Sequence, residues 1–112
     1  MLDRSIEEVN EPLQFRGFRQ QDVLAKHYLI RGRVQGVGYR YFALGAAERL
    51  GVKGFVRNLH NGEVEIHAEA DKVTLELFKL ELARGPRMAE VTEVIESDRP
   101  VSGVYSSFTV RG

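Results

Sequence analysis

Residues 61–71 read NGEVEIHAEAD, and this stretch predicts three structural features in succession. Asn61 and Gly62 form the dipeptide that is typical of a tight hairpin turn, because both residues tolerate a positive φ. Across residues 64–70 apolar side chains alternate with glutamate and histidine, as in a strand with one buried face and one polar face. Asp71 is a preferred helix N-cap residue. The stretch therefore predicts a hairpin turn, a strand and the start of a helix.

The sequence on both sides of this stretch continues the alternation of strands and helices. The predicted elements, in chain order, are a strand at 26–34, a helix at 39–50, strands at 52–59 and 64–70, a helix at 72–84, a strand at 91–96 and a short closing strand at 107–111. The order is βαββαβ with one extra strand. Short connections and right-handed crossovers favour an α+β, ferredoxin-like split βαβ sandwich, in which an antiparallel sheet carries two helices on one face.

Periodicity also predicts which side chains are buried. In the second helix Val73, Leu77 and Leu80 recur at helical spacing and are expected to face the sheet, with Phe78 and Leu82 beside them. One face of the third strand is expected to be apolar and the other to face solvent. The residues expected on its solvent face are Glu63, Glu65, His67 and Glu69.

The first 25 residues differ from the rest because they are polar and show no sustained period. We expect residues 1–25 to be an N-terminal extension, either flexible or loosely docked, and residues 26–112 to form the domain. The alternative is a short helix at 5–10, with Phe15 and Phe18 holding the segment against the domain or a neighbouring molecule.

Composition limits the classes of partner. The chain has 112 residues, 16 basic and 16 acidic side chains and a net charge of zero, which gives no argument for a nucleic-acid or membrane partner. It has no cysteine, so disulfides and a cysteine nucleophile are excluded. No apolar run approaches the ~18 residues that span a bilayer, and the N-terminus lacks the features of a secretory signal. We therefore expect a cytoplasmic protein.

The stretch GRVQGVGYR at 32–40 contains the clearest candidate binding site. Gly36 and Gly38 lie where a strand must turn into a helix, with no Ser, Thr, Asp or Asn to cap it. Arg40 adds a cation where the helix dipole favours an anion. Successive N–H groups in such a turn can converge on an anion, and a guanidinium fork matches phosphate geometry. Two alternatives stay open: the glycines are present for steric reasons alone, and Arg40 pairs with a nearby carboxylate.

Two motifs in this sequence resemble the signature sequences of the acylphosphatase family. GRVQGVGYR resembles the first, and GFVRNLHNGEV at 54–64 resembles the second. With the βαββαβ order, the resemblance covers about residues 26–112. It implies metal-independent hydrolysis of carboxyl-phosphate anhydrides to carboxylate and inorganic phosphate by a monomer without a cofactor. Phosphate would be both product and inhibitor.

The resemblance also implies roles for individual residues. Arg40 would bind phosphate, and Asn58 would position the attacking water. The phosphoryl oxygens would be held by the loop backbone of Gln35, Gly36, Val37, Gly38 and Tyr39. Tyr39 replaces the usual Phe and Ala70 the usual Gly of the family pattern. For Asn58 the alternative is hydrogen bonding within its own turn, and for the whole chain it is a non-catalytic anion-binding or regulatory domain.

Overall fold

A computed structural model describes residues 22–112, so the expectations for residues 5–10, Phe15 and Phe18 lie outside the described residues. The described elements are β1 (Leu24–Arg33), α1 (Tyr39–Leu50), β2 (Lys53–Asn58), β3 (Val64–Ala70), α2 (Lys72–Arg84), β4 (Glu90–Arg99) and β5 (Phe108–Arg111). This confirms the predicted order of strands and helices. In the described residues neither helix has the length and apolar content needed to cross a bilayer.

The five strands form one sheet in the order β4-β1-β3-β2-β5. β1 is antiparallel to β3 and β4, and β2 is antiparallel to β3, as the α+β ferredoxin-like fold requires. The expectation of an antiparallel sheet is wrong for β5, which pairs with β2 in parallel. The chain leaves β4 at one edge, and residues 100–107 carry it to the opposite edge, where β5 begins. β1 begins at Leu24, which pairs with Ala70, two residues before the strand predicted from sequence.

The apolar core lies between the sheet and both helices, which pack on the same face. Tyr28 of β1 contacts Phe78 of α2 edge to face, with ring centroids 6.2 Å apart. Asp71 caps α2 as predicted, because its side chain accepts a hydrogen bond from the Thr74 amide at 2.8 Å. The fully buried side chains that fill the core are Tyr28, Ile30, Val34, Tyr39, Val56, Val64, Ile66, Phe78 and Leu82.

The predicted buried stripe of α2 is wrong. Leu75, Phe78 and Leu82 face the sheet, whereas the residues predicted to be buried are exposed. Their exposed fractions are 65% for Val73, 47% for Leu77 and 67% for Leu80. The two stripes lie on opposite sides of the helix, since positions 73, 77 and 80 are about half a turn from 75, 78 and 82. Periodicity identifies an apolar stripe, but it does not say which of two stripes meets the sheet.

The sequence predicted that Glu69 faces solvent on the side of the sheet away from the helices. This prediction is wrong, because residues 100–107 cross that side of the sheet and cover Glu69. Glu69 is only 5% exposed. Its carboxylate accepts hydrogen bonds from the Ser102 amide and hydroxyl, each at 2.9 Å, and from the Gly103 amide at 3.2 Å. It also contacts His67 at 2.7 Å. Burial raises the pKa of Glu69, but these hydrogen bonds outweigh burial and hold the pKa below its usual value.

The two other glutamates that were predicted on the solvent face of β3, Glu63 and Glu65, are paired. Glu65 contacts His27 at 2.8 Å and accepts from Arg57, and Glu63 accepts from Arg31. Because these carboxylates are paired with basic groups, this face does not present the unpaired negative charges that its sequence indicates. Arg31 and Arg57 are therefore used in ion pairs on the face of the sheet that is opposite the helices.

We predict that Glu69→Gln lowers the free energy of unfolding by about 1.5–3 kcal/mol at pH 7, because a neutral amide accepts weaker hydrogen bonds from Ser102 and Gly103. Urea unfolding measures this difference, and Glu76→Gln on the exposed side of α2 is the control. A carboxylate whose folded pKa is lowered stabilises the protein fully above the unfolded value of about 4.3, and this contribution is lost as the pH falls through the folded pKa. The wild-type advantage should therefore shrink in acid. An advantage that is unchanged by acid would contradict this account.

Candidate active site

The turn between β1 and α1 depends on two glycines in the left-handed region. Gly36 has φ 77° and Gly38 has φ 80°, a conformation that costs other L-residues about 1–2 kcal/mol. A Cβ added at either position would meet no atom within 4 Å. Steric crowding therefore does not explain these glycines. The backbone conformation requires them, and the space in front of both is open.

The backbone N–H groups of this turn have no acceptor among the described residues. Within residues 22–112, no hydrogen bond is donated to the protein by the amides of residues 35–41. Gly38 is the N-cap of α1 but supplies no side-chain cap, and the first satisfied amide is that of Phe42, which donates to the Gly38 carbonyl at 3.0 Å. Free N–H groups at a helix N-terminus, together with the helix dipole, favour an anion.

Arg40 adds a positive charge to the same end of α1. Its Nη1 donates to the backbone carbonyl of Arg111, at the end of β5, at 3.0 Å. Among the described ion pairs none involves Arg40. The alternative interpretation from sequence, that Arg40 pairs with a nearby carboxylate, is therefore not seen in residues 22–112. Within the described residues, one of its five N–H donors is used by an uncharged partner, which leaves four for a ligand.

Asn58 is the last residue of β2, and its side chain has an unusual environment. The side-chain oxygen Oδ1 is buried and has no hydrogen-bond partner in the described part of the chain. The turn that follows is stabilised by Asn61 instead, whose Oδ1 accepts from the Glu63 amide at 3.0 Å. Asn58 therefore does not have the turn-stabilising role that was its alternative. A buried acceptor without a partner costs about 1–3 kcal/mol, so such an atom is normally satisfied by a water, an ion or a ligand.

One surface depression of about 200 Å³ connects these features. The residues that line it are Val34, Gly36, Gly38, Tyr39, Arg40, Tyr41 and Asn58. It contains five of the seven residues named from sequence, from two motifs that are far apart in the chain. Sequence reasoning missed Val34 and Tyr41. Tyr41 is 66% exposed. Its position next to Arg40 in the first turn of the helix is the sequence feature that could have identified it as a site residue.

The two remaining predicted residues, Gln35 and Val37, do not line the depression. Val37 packs against the core. The Gln35 side chain turns toward the β2–β3 hairpin, where Nε2 donates to the carbonyls of Leu59 and Glu63 at 2.8 and 2.9 Å. These bonds connect the glycine loop to the turn that follows Asn58.

Tyr39 fixes the start of α1 on its other side. Its ring is 1% exposed, and its hydroxyl donates to the Leu82 carbonyl near the end of α2 at 2.7 Å. Burial raises the pKa of Tyr39 above its usual value, so the hydroxyl keeps its proton. The hydroxyl by which Tyr39 departs from the Phe that the resemblance implies therefore connects the two helices.

Metal ligands were not expected in this sequence. In the part of the chain that the structure describes, no three His, Asp or Glu side chains lie together as they would around a metal ion. The described lining of the depression contains a guanidinium, an amide and two tyrosines, but no carboxylate.

Comparison with known proteins agrees with this architecture. The acylphosphatase family model matches residues 26–110. A protein named acylphosphatase from Pasteurella multocida is 42% identical over 89 residues, which cover 80% of this chain and 99% of that protein. One from Thermotoga petrophila is 46% identical over 82 residues, or 73% of this chain and 90% of that protein. The solved structure of an acylphosphatase from Coxiella burnetii superposes with a TM-score of 0.79 at 32% identity, covering 83% of this chain and 97% of that one.

The fold and the named relatives together define a small α+β hydrolase of ferredoxin-like architecture. More specifically, the chain belongs to the acylphosphatase family. The resemblance inferred from the two sequence motifs is thereby confirmed.

We predict that Gln35 stabilises the loop by donating from Nε2, so that Gln35→Glu is at least as destabilising as Gln35→Ala. Alanine removes two hydrogen bonds, for an expected loss of about 1–2 kcal/mol in the free energy of unfolding. Glutamate has the same shape but places an acceptor against the carbonyls of Leu59 and Glu63. Urea unfolding of the three proteins is the measurement. A Gln35→Glu variant as stable as wild type would contradict the contact.

Proposed function

We propose that this acylphosphatase hydrolyses carboxyl-phosphate anhydrides to a carboxylate and inorganic phosphate without a metal or cofactor. The observation that supports this most directly is the common location of three features in one depression. These are the free amides that begin α1, the Arg40 guanidinium and the unpartnered Oδ1 of Asn58.

The amides and Arg40 would bind the phosphoryl group. Phosphoryl transfer depends largely on positioning and on stabilising charge spread over three equatorial oxygens. The amides at Gly36, Gly38 and Tyr39 and the four unused donors of Arg40 can be shared among these oxygens. Each hydrogen bond to a charged group contributes about 1.5–3 kcal/mol.

Asn58 would position the attacking water. Its Oδ1 accepts a hydrogen bond from the water, and its Nδ2 can donate to a substrate oxygen. The water oxygen forms a bond to phosphorus while the bond from phosphorus to the acyl oxygen breaks. The electron pair of that bond leaves with the carboxylate. The water's proton passes to the phosphate itself, so no strong protein base is needed.

The leaving group explains why so few residues suffice. The conjugate acid of a carboxylate has a pKa of about 4, so it departs as an anion without receiving a proton. A phosphate monoester would instead release an alkoxide, which needs a general acid or a metal ion. The described lining of the depression offers no carboxylic acid for that role, which favours the acyl phosphate as substrate.

The partners follow from this proposal. The substrate is a small-molecule acyl phosphate, and inorganic phosphate is both product and competitive inhibitor. Action as a monomer, a cytoplasmic location and the absence of nucleic-acid and membrane partners stay predictions from sequence.

We predict that wild type hydrolyses benzoyl phosphate at a rate unchanged by EDTA, and that Arg40→Ala and Asn58→Ala each lower kcat/KM by about 10²–10³ or more, since each removes a preorganised group. Arg40→Ala should also raise the inhibition constant of phosphate, whereas Asn58→Ala should lower kcat with little change in that constant. Arg33→Ala, an exposed arginine outside the depression, is the control.

Wild-type turnover equal to the buffer blank would contradict catalysis and favour the non-catalytic anion-binding domain. Full activity in Asn58→Ala would leave catalysis standing but remove Asn58 from the mechanism.

A further inference from the structure

Tyr41 lines the active-site depression, but neither the packing of the fold nor the proposed chemistry accounts for its side chain. It lies in the first turn of α1, next to Arg40, and is 66% exposed. Within residues 22–112 its ring contacts no other aromatic ring and no cation, and its hydroxyl has no protein hydrogen-bond partner. Aromatic rings gain much from burial against another surface. An uncommitted ring beside a binding site can therefore contact a ligand.

The direction of α1 places the Tyr41 side chain on the side of the depression. Side chains of an α-helix tilt toward its N-terminus and cover the turn that precedes their own Cα. For Tyr41 that turn begins at Gly38, the N-cap of α1. Tyr41 lines the depression together with Gly36, Gly38 and Asn58. Its ring therefore lies beside the amides that would bind the phosphoryl group.

The other residues that line the depression offer no exposed apolar side chain. Val34 and Tyr39 are each 1% exposed and belong to the core. Arg40 and Asn58 are polar and would bind the phosphoryl group and the attacking water, and the remaining two lining residues are glycines. Among the described lining residues, Tyr41 alone has an apolar surface that an acyl group can reach.

We propose that Tyr41 determines specificity for the acyl part of the substrate: its ring stacks on a planar aromatic acyl group, so that aromatic acyl phosphates are preferred to small aliphatic ones. This inference rests on the proposed function, because the acyl group is positioned by the phosphoryl group to which it is attached. An acyl group attached to a phosphoryl group at the amides of Gly36 and Gly38 extends out of the depression past Tyr41. Stacking of two rings changes a binding or rate constant about two- to tenfold, whereas an acetyl group offers the ring only one methyl.

Two substrates with the same reacting group separate recognition of the acyl group from phosphoryl chemistry. Benzoyl phosphate and acetyl phosphate both release a carboxylate whose conjugate acid has a pKa of about 4, so they differ mainly in the group that would contact Tyr41. We would measure kcat/KM for both substrates, and the inhibition constant of inorganic phosphate, in wild type, Tyr41→Ala and Tyr41→Phe. Leu80→Ala is the matched control, because Leu80 is an apolar residue of α2 that is 67% exposed and lies outside the depression.

We expect Tyr41→Ala to lower kcat/KM for benzoyl phosphate about three- to tenfold and to change that for acetyl phosphate less than about twofold. The inhibition constant of phosphate should not change. Tyr41→Phe and Leu80→Ala should keep the wild-type ratio of the two kcat/KM values, because stacking requires the ring and not the hydroxyl.

Three results would overturn the inference while leaving the acylphosphatase activity intact. These are an unchanged ratio in Tyr41→Ala, equal losses for both substrates, and a Tyr41→Phe variant that loses as much as Tyr41→Ala. Wild-type protein that hydrolyses neither substrate would instead contradict the proposed function, and this inference with it.

Discussion

The amides of residues 35–41 have no acceptor among the described residues. Gly36 and Gly38, both at positive φ, hold the backbone in the conformation that leaves these amides free. Polar backbone groups are normally paired, so a row of unpaired donors is retained only where water or a ligand replaces the protein acceptor. An anion with several oxygens can satisfy several of these donors at once, and the dipole of α1 adds to the attraction. The uncapped helix start is consistent with a ligand that acts as its cap.

Such a site needs support, because donors stabilise a transition state only if they are held in place beforehand. Three side chains supply this support through four hydrogen bonds to other parts of the fold. Gln35 connects the loop to the β2–β3 hairpin, Tyr39 connects α1 to the Leu82 carbonyl, and Arg40 is held by the Arg111 carbonyl. The last contact has a particular consequence. A carbonyl orients the guanidinium without neutralising it, whereas a carboxylate would cancel much of the charge that an anionic substrate requires.

Features set by neighbouring residues were predictable from sequence, and features set by distant parts of the chain were not. The glycine turn and the Asp71 cap are local and followed from residue type. The burial of Glu69 and the parallel direction of β5 depend on the path of residues 100–107, which no local pattern encodes. The two side-chain hydrogen bonds of Gln35 join residues that are 24 and 28 positions away in the chain. The sequence did not predict these bonds, and it assigned Gln35 only a phosphate-binding role through its backbone. In α2 the sequence contains two apolar stripes at helical spacing, and periodicity alone did not identify the stripe that packs on the sheet.

The central claim is that the free amides of the glycine turn hold a tetrahedral anion. Titration of the ¹⁵N-labelled full-length protein with inorganic phosphate, followed by two-dimensional NMR, tests it most directly. The account predicts saturable shifts of the amide resonances of residues 36–41, with an affinity that falls in a Gly38→Ala variant because the turn at φ 80° is strained by a Cβ. Shifts that are absent from these amides at saturating phosphate, or that concentrate elsewhere on the domain, would contradict it.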